Sequence, residues 1–443
     1  MNVRRVVRAS RELFIYSGPA LITSLAYMDP GNYGTDIQAG ASYNYGLLWA
    51  VWMANLMAML LQYLSGKLGI ATGKDLPELL KESLQKNVHS RFDIFLHWIG
   101  AEAAAAATDL AEYLGTVIAL NILFGVPLLY ASLFGAADIL ILLVLTQGRF
   151  RTLEYFFMLA VSILGFGFLY EITVTGLNMS DMVYGFFSPV FTSDSITLIV
   201  GIIGATVMPH ALYVHSTLTK NKLVDRTVKE KKRFLVLHTR ESIFCFTIAG
   251  MVNASILIVS AMTFYPKFSN VSAVDDAYRI MIPIYGSLAA IVFAVTLLFS
   301  GLASSATGTL AGQTIMDGLL GTRINKTVRR VITRVVNVFP TTIAMLLGID
   351  PLSLLIYSQV LLSLMLALPM IPLITFTAKK HLMGPFVNKR ITTALSVLTG
   401  TVILVLNTYL VYYLISQFSV YLQVIVLAAY GAYHLYLVRA TWR

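Results

Sequence analysis

The stretch AYMDPGNYGTDIQAG, residues 26–40, places Asp-Pro-Gly-Asn in the middle of an otherwise apolar segment. Proline lacks a backbone N–H and clashes with the carbonyl four residues earlier, so Pro30 should break the helix and free the carbonyl of Ala26. A bare carbonyl in hydrocarbon is costly unless it faces water, a polar side chain or a cation. The stretch therefore predicts either a functional break or a simple proline kink.

A second apolar segment carries a matching interruption. It reads ATVMPHALYVHS over residues 205–216, and Pro209 should free the carbonyl of Ala205. One such proline is typical of a kink that a neighbouring Ser or Thr satisfies. Two matched breaks, each beside polar residues, favour a binding site between them.

The composition is typical of a membrane protein. Of 443 residues, 57% are apolar and only 12% are charged, about half the charged fraction of a soluble domain. Apolar runs of about twenty residues recur from end to end, as spanning helices require. The single cysteine, Cys245, excludes an intrachain disulfide or thiolate cluster. We expect one all-α integral membrane domain over residues 1–443.

The apolar runs predict about twelve spanning helices, or eleven if the last two are one. The predicted ranges are 13–40, 46–69, 93–122, 127–147, 152–174, 194–218, 241–264, 281–313, 330–348, 352–378, 391–415 and 418–438. The first and sixth helices are the broken ones, and each opens a block of five, in 13–175 and 194–378, before two peripheral helices in 391–438. Because five is odd, the blocks are inverted, and matching breaks in inverted halves indicate a transporter's central site.

The basic residues predict the orientation. With the N-terminus in the cytoplasm, 30 of the 32 Lys and Arg residues fall inside and only Lys267 and Arg279 fall outside, as the positive-inside rule requires. The net charge of +10 is then a membrane-surface signal rather than a nucleic-acid footprint. The basic run 220–240 is expected to be a solvated cytoplasmic loop.

The residue types at the breaks indicate a cation site. They are the carboxylate of Asp29, the amide of Asn32, the thioether of Met208 and the freed carbonyls of Ala26 and Ala205. A buried ionised aspartate needs a cation, and neither broken helix contains Lys or Arg. Oxygen ligands alone suit Mg²⁺, Ca²⁺ or Na⁺, whereas a thioether favours later first-row ions. The alternative for Met208 is ordinary packing.

Titratable side chains near the breaks suit proton transfer. Asp109 and Glu112 lie i, i+3 on one face of the third helix, where carboxylates can relay a proton. His210 and His215 follow the second break, and histidine titrates near neutral pH. The alternatives are an ion pair of the carboxylates with Arg329, Arg330 or Arg334, and, for His210, a metal ligand or a hydrogen-bonded core histidine.

Two further polar runs lie in otherwise apolar helices. Gln359 could complete the metal shell after a conformational change, or it could make an interhelical hydrogen bond. The run 304–308, Ser-Ser-Ala-Thr-Gly, favours a small-residue packing face.

Together these motifs resemble the NRAMP / divalent metal transporter family. The matching stretches are DPGN at 29–32 with TDIQAG at 35–40, ATDLAE at 107–112, MPHALYVHS at 208–216 and SQV at 358–360. They lie in the first ten predicted helices, which make up most of the chain. One departure is Ala211, where the family usually has Asn after MPH, and the retained Met208 separates the chain from related Mg²⁺ transporters.

The resemblance implies the leucine-transporter fold, with two inverted five-helix repeats, and inward symport of protons with Mn²⁺, Fe²⁺ and related ions such as Cd²⁺ and Co²⁺. The implied metal ligands are Asp29, Asn32, Met208 and the Ala205 carbonyl, with the Ala26 carbonyl and Gln359 joining in particular conformations. The implied proton route contains Asp109, Glu112 and His210, with Asp29 linking the two ions and Arg330 at the cytoplasmic end.

Other function classes fit less well. A Na⁺-coupled amino-acid carrier could use the same broken helices, but Asp29 at the centre argues against it, and the inverted halves argue against a passive channel between subunits. A Mg²⁺ carrier would lack the sulfur. No nucleotide-binding or hydrolytic motif indicates an enzyme. We expect no cofactor, no nucleic acid and no obligate protein partner, only metal ions, protons and the lipid of the plasma membrane.

Overall fold

The described part of the chain is helical throughout. The computed structural model describes residues 18–86, 90–135, 150–222, 227–268, 274–322 and 325–442. In chain order the helices are α1 (Pro19–Ala26), α2 (Pro30–Tyr43), α3 (Leu48–Thr72), α4 (Leu76–Leu84), α5 (Ser90–Phe124), α6 (Leu128–Gly135), α7 (Phe150–Thr175), α8 (Met179–Phe187), α9 (Ser193–Val207), α10 (Pro209–Asn221), α11 (Val228–Phe264), α12 (Val274–Tyr285), α13 (Ser287–Leu319), α14 (Lys326–Leu346), α15 (Pro351–Met365), α16 (Ala367–Ala378), α17 (Lys380–Met383), α18 (Arg390–Ile415) and α19 (Val420–Trp442).

Nine stretches of the described ranges are long and apolar enough to cross a membrane. This confirms the all-α membrane class. The count of about twelve stays a prediction. The predicted fourth helix, 127–147, falls partly on residues 136–149, which lie outside the described residues, and α14, the predicted ninth helix, carries four basic residues in its first half.

Both predicted breaks are present. The first helix is divided into α1 and α2 by residues 27–29, and the sixth into α9 and α10 by Met208 alone. A third interruption was not predicted. The range 352–378 is not one helix, because α15 ends at Met365 and α16 begins at Ala367. Pro369 explains this, since it has no N–H to donate to the carbonyl of Met365.

The basic run 220–240 was wrongly predicted as a loop. Helix α11 begins at Val228, so the last half of the run is helical. Thr227 and Glu230 form a capping box, in which the Thr227 side chain accepts from the Glu230 N–H and the Glu230 carboxylate accepts from the Thr227 N–H at 3.0 Å. A Thr three residues before a Glu is a readable start signal, and it outweighs the polarity of the segment.

Glycines let the broken helices approach their neighbours closely. A Cβ on Gly204 of α9 would lie 1.9 Å from the Gln359 carbonyl oxygen of α15. A Cβ on Gly40 of α2 would lie 2.4 Å from the Leu257 carbonyl oxygen of α11. The predicted packing run 304–308 is fully buried on α13. The backbones of neighbouring helices in this core therefore approach each other closely at glycines and other small residues, as membrane helix packing favours.

Gly204 supplies a direct test of this packing. Gly204→Ala should destabilise the protein by about 1–3 kcal/mol, the cost of overpacking a tight core, because the methyl group would overlap backbone. The measurement is the melting temperature of the purified protein in detergent. Gly165→Ala on α7 is the matched control, since its Cβ would meet nothing within 4 Å. Equal melting temperatures for the two variants would contradict the close approach.

Candidate functional site

Asp29 caps the second half of the first broken helix. Its backbone is extended (φ −84°, ψ 164°), and its Oδ1 accepts from the backbone N–H of Asn32 at 2.9 Å and from the Asn32 side-chain amide at 2.8 Å. The other carboxylate oxygen, Oδ2, finds no hydrogen-bond partner among the described residues, and the whole side chain is buried. One oxygen is thus fixed by the helix start and the other is left for a ligand.

Met208 forms the second break. It stands between α9 and α10 at φ 40° and ψ 105°, and a positive φ is a backbone conformation that residues other than glycine rarely adopt. Such strain costs on the order of 1–3 kcal/mol and persists only where the surroundings fix it. The residue is fully buried. Pro209, at the first position of α10, cannot donate a hydrogen bond across the break.

Asn32 joins the two breaks. Its side-chain N–H₂ lies 2.8 Å from Asp29 Oδ1, 3.0 Å from the Tyr27 carbonyl oxygen and 3.3 Å from the Ala205 carbonyl oxygen. An amide N–H₂ has only two hydrogens, so it cannot serve all three acceptors at once. The Ala205 carbonyl, the most distant, is the acceptor left most available to a cation.

Two more contacts lock the breaks together. The Thr206 hydroxyl donates to Asn32 Oδ1 at 3.3 Å, and the Tyr27 hydroxyl donates to the Val207 carbonyl at 3.3 Å. Residues 205–207 therefore lie against residues 27–32, and Met208 follows directly. Of the predicted ligands, the structure brings Asp29, Asn32 and the Ala205 carbonyl into direct contact, and it places Ala26 at the end of α1 and Met208 at the facing break.

Gln359 of α15 lies beside this group. A Cβ on Gly31 would be 2.0 Å from Gln359 Nε2 and 2.8 Å from Asp29 Oδ2, so both side chains crowd the same glycine. Gln359 Nε2 donates to the Ser358 hydroxyl at 3.0 Å, and its Oε1 finds no partner among the described residues. The carbonyl oxygen of this amide is therefore a further candidate ligand, as predicted.

The predicted proton-route carboxylates lie together on α5. A Cβ on Gly308 of α13 would be 2.9 Å from Glu112 Oε2 and 3.3 Å from Asp109 Oδ1. Glu112 is fully buried. Arg329 of α14, one of the arginines considered as their alternative partner, forms an ion pair with Glu102 of α5. The backbone of Arg330 belongs to α14, but its side chain lies outside the described residues.

The two histidines face different neighbours. His210 Nδ1 lies 3.0 Å from the hydroxyl of Thr108, the residue before Asp109 on α5. His215 Nδ1 lies 2.6 Å from Gln62 Oε1 on α3, and its ring meets that of His238 on α11 with centroids 4.8 Å apart. The structure thus brings His210, but not His215, towards the predicted carboxylate pair.

Sequence reasoning missed the residues that hold the first break open. The Asn253 amide donates to the Tyr27 carbonyl at 2.9 Å, and the Ser300 hydroxyl donates to the Met28 carbonyl. Both donors are buried in α11 and α13, opposite the break. In the sequence, each is a polar side chain inside an apolar helix. Such a residue indicates that a hydrogen-bond partner exists, but not which residue it is.

Comparison with known proteins places this sequence in a family. Residues 20–413 match the family described as Nramp: Natural resistance-associated macrophage protein-like. The chain belongs to the Nramp family. It is 40% identical over 410 residues to the divalent metal cation transporter MntH of Deinococcus radiodurans, covering 92% of each chain. It is 39% identical over 406 residues to MntH of Bacillus subtilis, covering 91% of this chain and 93% of the relative.

Solved structures agree with this Nramp assignment. The manganese transporter of Eremococcus coleocola, solved with an aromatic bis-isothiourea substituted compound, superposes with a TM-score of 0.84 at 28% identity, covering 97% of this chain and 94% of that one. A nucleobase-cation-symport-1 family transporter in a closed conformation superposes with a TM-score of 0.60 at 15% identity, covering 96% and 92%. The second match shows that the overall fold is shared beyond the Nramp family.

The bridging role of Asn32 predicts a specific loss. Asn32→Ala should weaken Mn²⁺ binding about tenfold or more, because it removes a candidate ligand and the amide that orients Asp29. Isothermal titration calorimetry on purified protein measures this. Asn407→Ala is the matched control, since Asn407 also bridges two helices, through Ser363, but away from the breaks. Equal affinities for Asn32→Ala and the unmodified protein would exclude the bridge from the site.

Proposed function

We propose that this Nramp chain imports divalent transition-metal ions, Mn²⁺ and Fe²⁺ and also Cd²⁺ and Co²⁺, together with protons, by alternating access around the site between the two breaks. The observation that carries the proposal is the contact of Asp29, Asn32 and the Ala205 carbonyl across the breaks, with the sulfur-bearing Met208 as the adjoining residue. The divalent metal cation transporters to which the chain is similar support it.

The chemistry of the donor set supports a transition-metal ion. Asp29 makes no ion pair with Lys or Arg in the described part of the chain, and it is completely buried, so its charge calls for a cation. Carboxylate, amide and carbonyl oxygens are hard ligands that any dication accepts. The Met208 thioether is the soft ligand that favours Mn²⁺, Fe²⁺ and later ions over Mg²⁺ and Ca²⁺.

The proposed proton route leaves the metal site towards α5. His210 is two residues from Met208 and touches Thr108, and the carboxylates of Asp109 and Glu112 lie further along the same helix. Asp29 would link the two ions, because both a metal ion and a proton satisfy a buried carboxylate. Arg330 would stand at the far end.

The membrane potential would drive import. With the chain in the plasma membrane and its N-terminus in the cytoplasm, inward movement of two charges gains roughly 4–5 kcal/mol at 100 mV. Proton entry adds to this. The proposed orientation rests on the distribution of Lys and Arg.

Asp29 tests both parts of the proposal. In proteoliposomes, Mn²⁺ uptake by the unmodified protein should acidify the lumen, and Asp29→Ala should abolish uptake and acidification, because the charged ligand is lost. An internal metal-sensing dye and an internal pH dye report the two fluxes. Asp181→Ala, which removes an exposed carboxylate on α8, is the matched control. Uptake that persists in Asp29→Ala would refute the site, and uptake without acidification would refute proton coupling.

Met208 tests the choice of metal. Met208→Ala should weaken Mn²⁺ transport and admit Ca²⁺ or Mg²⁺, because the remaining ligands are oxygens. Competition of each ion with Mn²⁺ uptake measures the selectivity. Met370→Ala in α16 removes an equally buried methionine outside the site and should lower stability by about 2–5 kcal/mol without changing selectivity. Unchanged selectivity in Met208→Ala would favour a carrier in which the sulfur only packs.

A further inference from the structure

The first half-helix, α1, is capped by a residue from a distant part of the chain. Its own N-cap residue, Gly18, supplies no side chain, and the first helical residue is Pro19. Instead, Glu241 of α11 accepts from the Gly18 N–H at 2.6 Å and from the Leu21 N–H at 3.4 Å through its Oε1. A carboxylate at a helix N-terminus both satisfies free N–H groups and opposes the positive end of the helix dipole.

The second carboxylate oxygen of Glu241 lies near a pair of buried histidines. Glu241 Oε2 lies 3.8 Å from Nδ1 of His238, one turn earlier on α11. The His238 ring packs edge-to-face against that of His215 on α10, at an interplanar angle of 76°. Both histidines are fully buried. A Cβ on Gly66 of α3 would lie 2.1 Å from His238 Nε2, so the His238 ring also packs closely against the backbone of α3.

From His215 the contacts continue to the metal site. His215 Nδ1 lies 2.6 Å from Gln62 Oε1, and Gln62 Nε2 donates to the Tyr27 hydroxyl at 2.6 Å. The carbonyl of Tyr27, in the first break, accepts from Asn32. Polar and ring contacts therefore lead from the start of α1 to the break at its other end. The approach of Glu241 Oε2 to His238 Nδ1, at 3.8 Å, is the one step among them that is longer than a hydrogen bond or ring contact.

We propose that Glu241 is a positioning residue that clasps α1 in the arrangement described above, and that the His238–His215 pair and Gln62 tie this clasp to the state of the metal site. The inference rests on the proposed transport function. A helix of eight residues is unstable alone, and the break at residues 27–29 separates it from α2, so α1 can move as one unit. Movement of the N-terminal end of α1 away from α11 must break the Glu241 contacts.

Accessibility of α1 tests the clasp without requiring transport. In a Cys245→Ala background, which has no other cysteine, Ala20→Cys reports on α1 and Ala39→Cys on α2, since both alanines are fully buried. Glu241→Ala should raise the labelling rate of Ala20→Cys by a water-soluble maleimide in detergent about fivefold, the scale of a lost helix cap. The rate at Ala39→Cys should not change, and Glu241→Asp should restore protection in part.

The matched control is Glu82→Gln, which removes a carboxylate from the exposed Lys74–Glu82 ion pair of α4 and should leave both rates unchanged. Equal labelling of Ala20→Cys with and without Glu241 would overturn the proposal. A rise of the same size at Ala39→Cys would also overturn it, because general loosening of the fold, rather than release of α1, would then be the cause.

Transport kinetics test the tie to the metal site. If Glu241→Ala favours release of α1, the fraction of protein ready to bind external metal falls, so the KM for Mn²⁺ uptake should rise in inverse proportion to that fraction while the maximal rate changes less. His238→Phe keeps a ring against His215 but removes the nitrogens, and it should shift both readouts in the same direction. An unchanged KM in His238→Phe would refute the tie, whereas absent uptake by the unmodified protein would refute the transport function itself.

Discussion

A backbone group that loses its helical partner inside a membrane has no water to replace it, and the architecture around the two breaks follows from this constraint. The Tyr27 carbonyl is held by Asn253, the Met28 carbonyl by Ser300 and the Val207 carbonyl by the Tyr27 hydroxyl. Each donor comes from a different helix or from the opposite break. Asn253 and Ser300, polar residues buried in otherwise apolar helices, are therefore partners of unwound backbone, and these bonds connect α11 and α13 to the first break.

Not every hydrogen-bond acceptor at the breaks has its own donor among the described residues, and those without one are the candidate ligands. Three acceptors surround the Asn32 amide, which has two hydrogens. Asp29 Oδ2 and Gln359 Oε1 have no partner among the described residues. Asp29 Oδ2 and the amide group of Gln359, through its Nε2 and Cδ, lie close to Gly31, where any side chain would fill the space. A cation would satisfy in one step the groups that the protein leaves unsatisfied, which is why we propose this position for the transported ion.

Much of this could be read from the sequence because proline acts locally. Pro30 and Pro209 fixed the positions of the breaks, and the residue types beside them supplied the donor set. The partners of the break could not be read, because Asn253 and Ser300 are more than two hundred residues away and one sequence does not say which polar residues meet. The Thr227 capping box and Pro369 were readable local signals; passing over them misplaced the start of α11 and hid the interruption before α16.

Helix α10, the second half of the sixth helix, carries two histidines that face different neighbouring helices. His210 and His215 are five residues apart, which on an α-helix turns their side chains about 140° from each other. His210 therefore meets α5, with its carboxylates, while His215 meets α3 and α11. A proton leaving along the first direction would not pass the second, so the pair His215–His238 is available for a different task. Its neighbour Glu241 holds α1, the short segment that the first break separates from α2, and that connection is the reason to propose gating rather than proton transfer for the second direction.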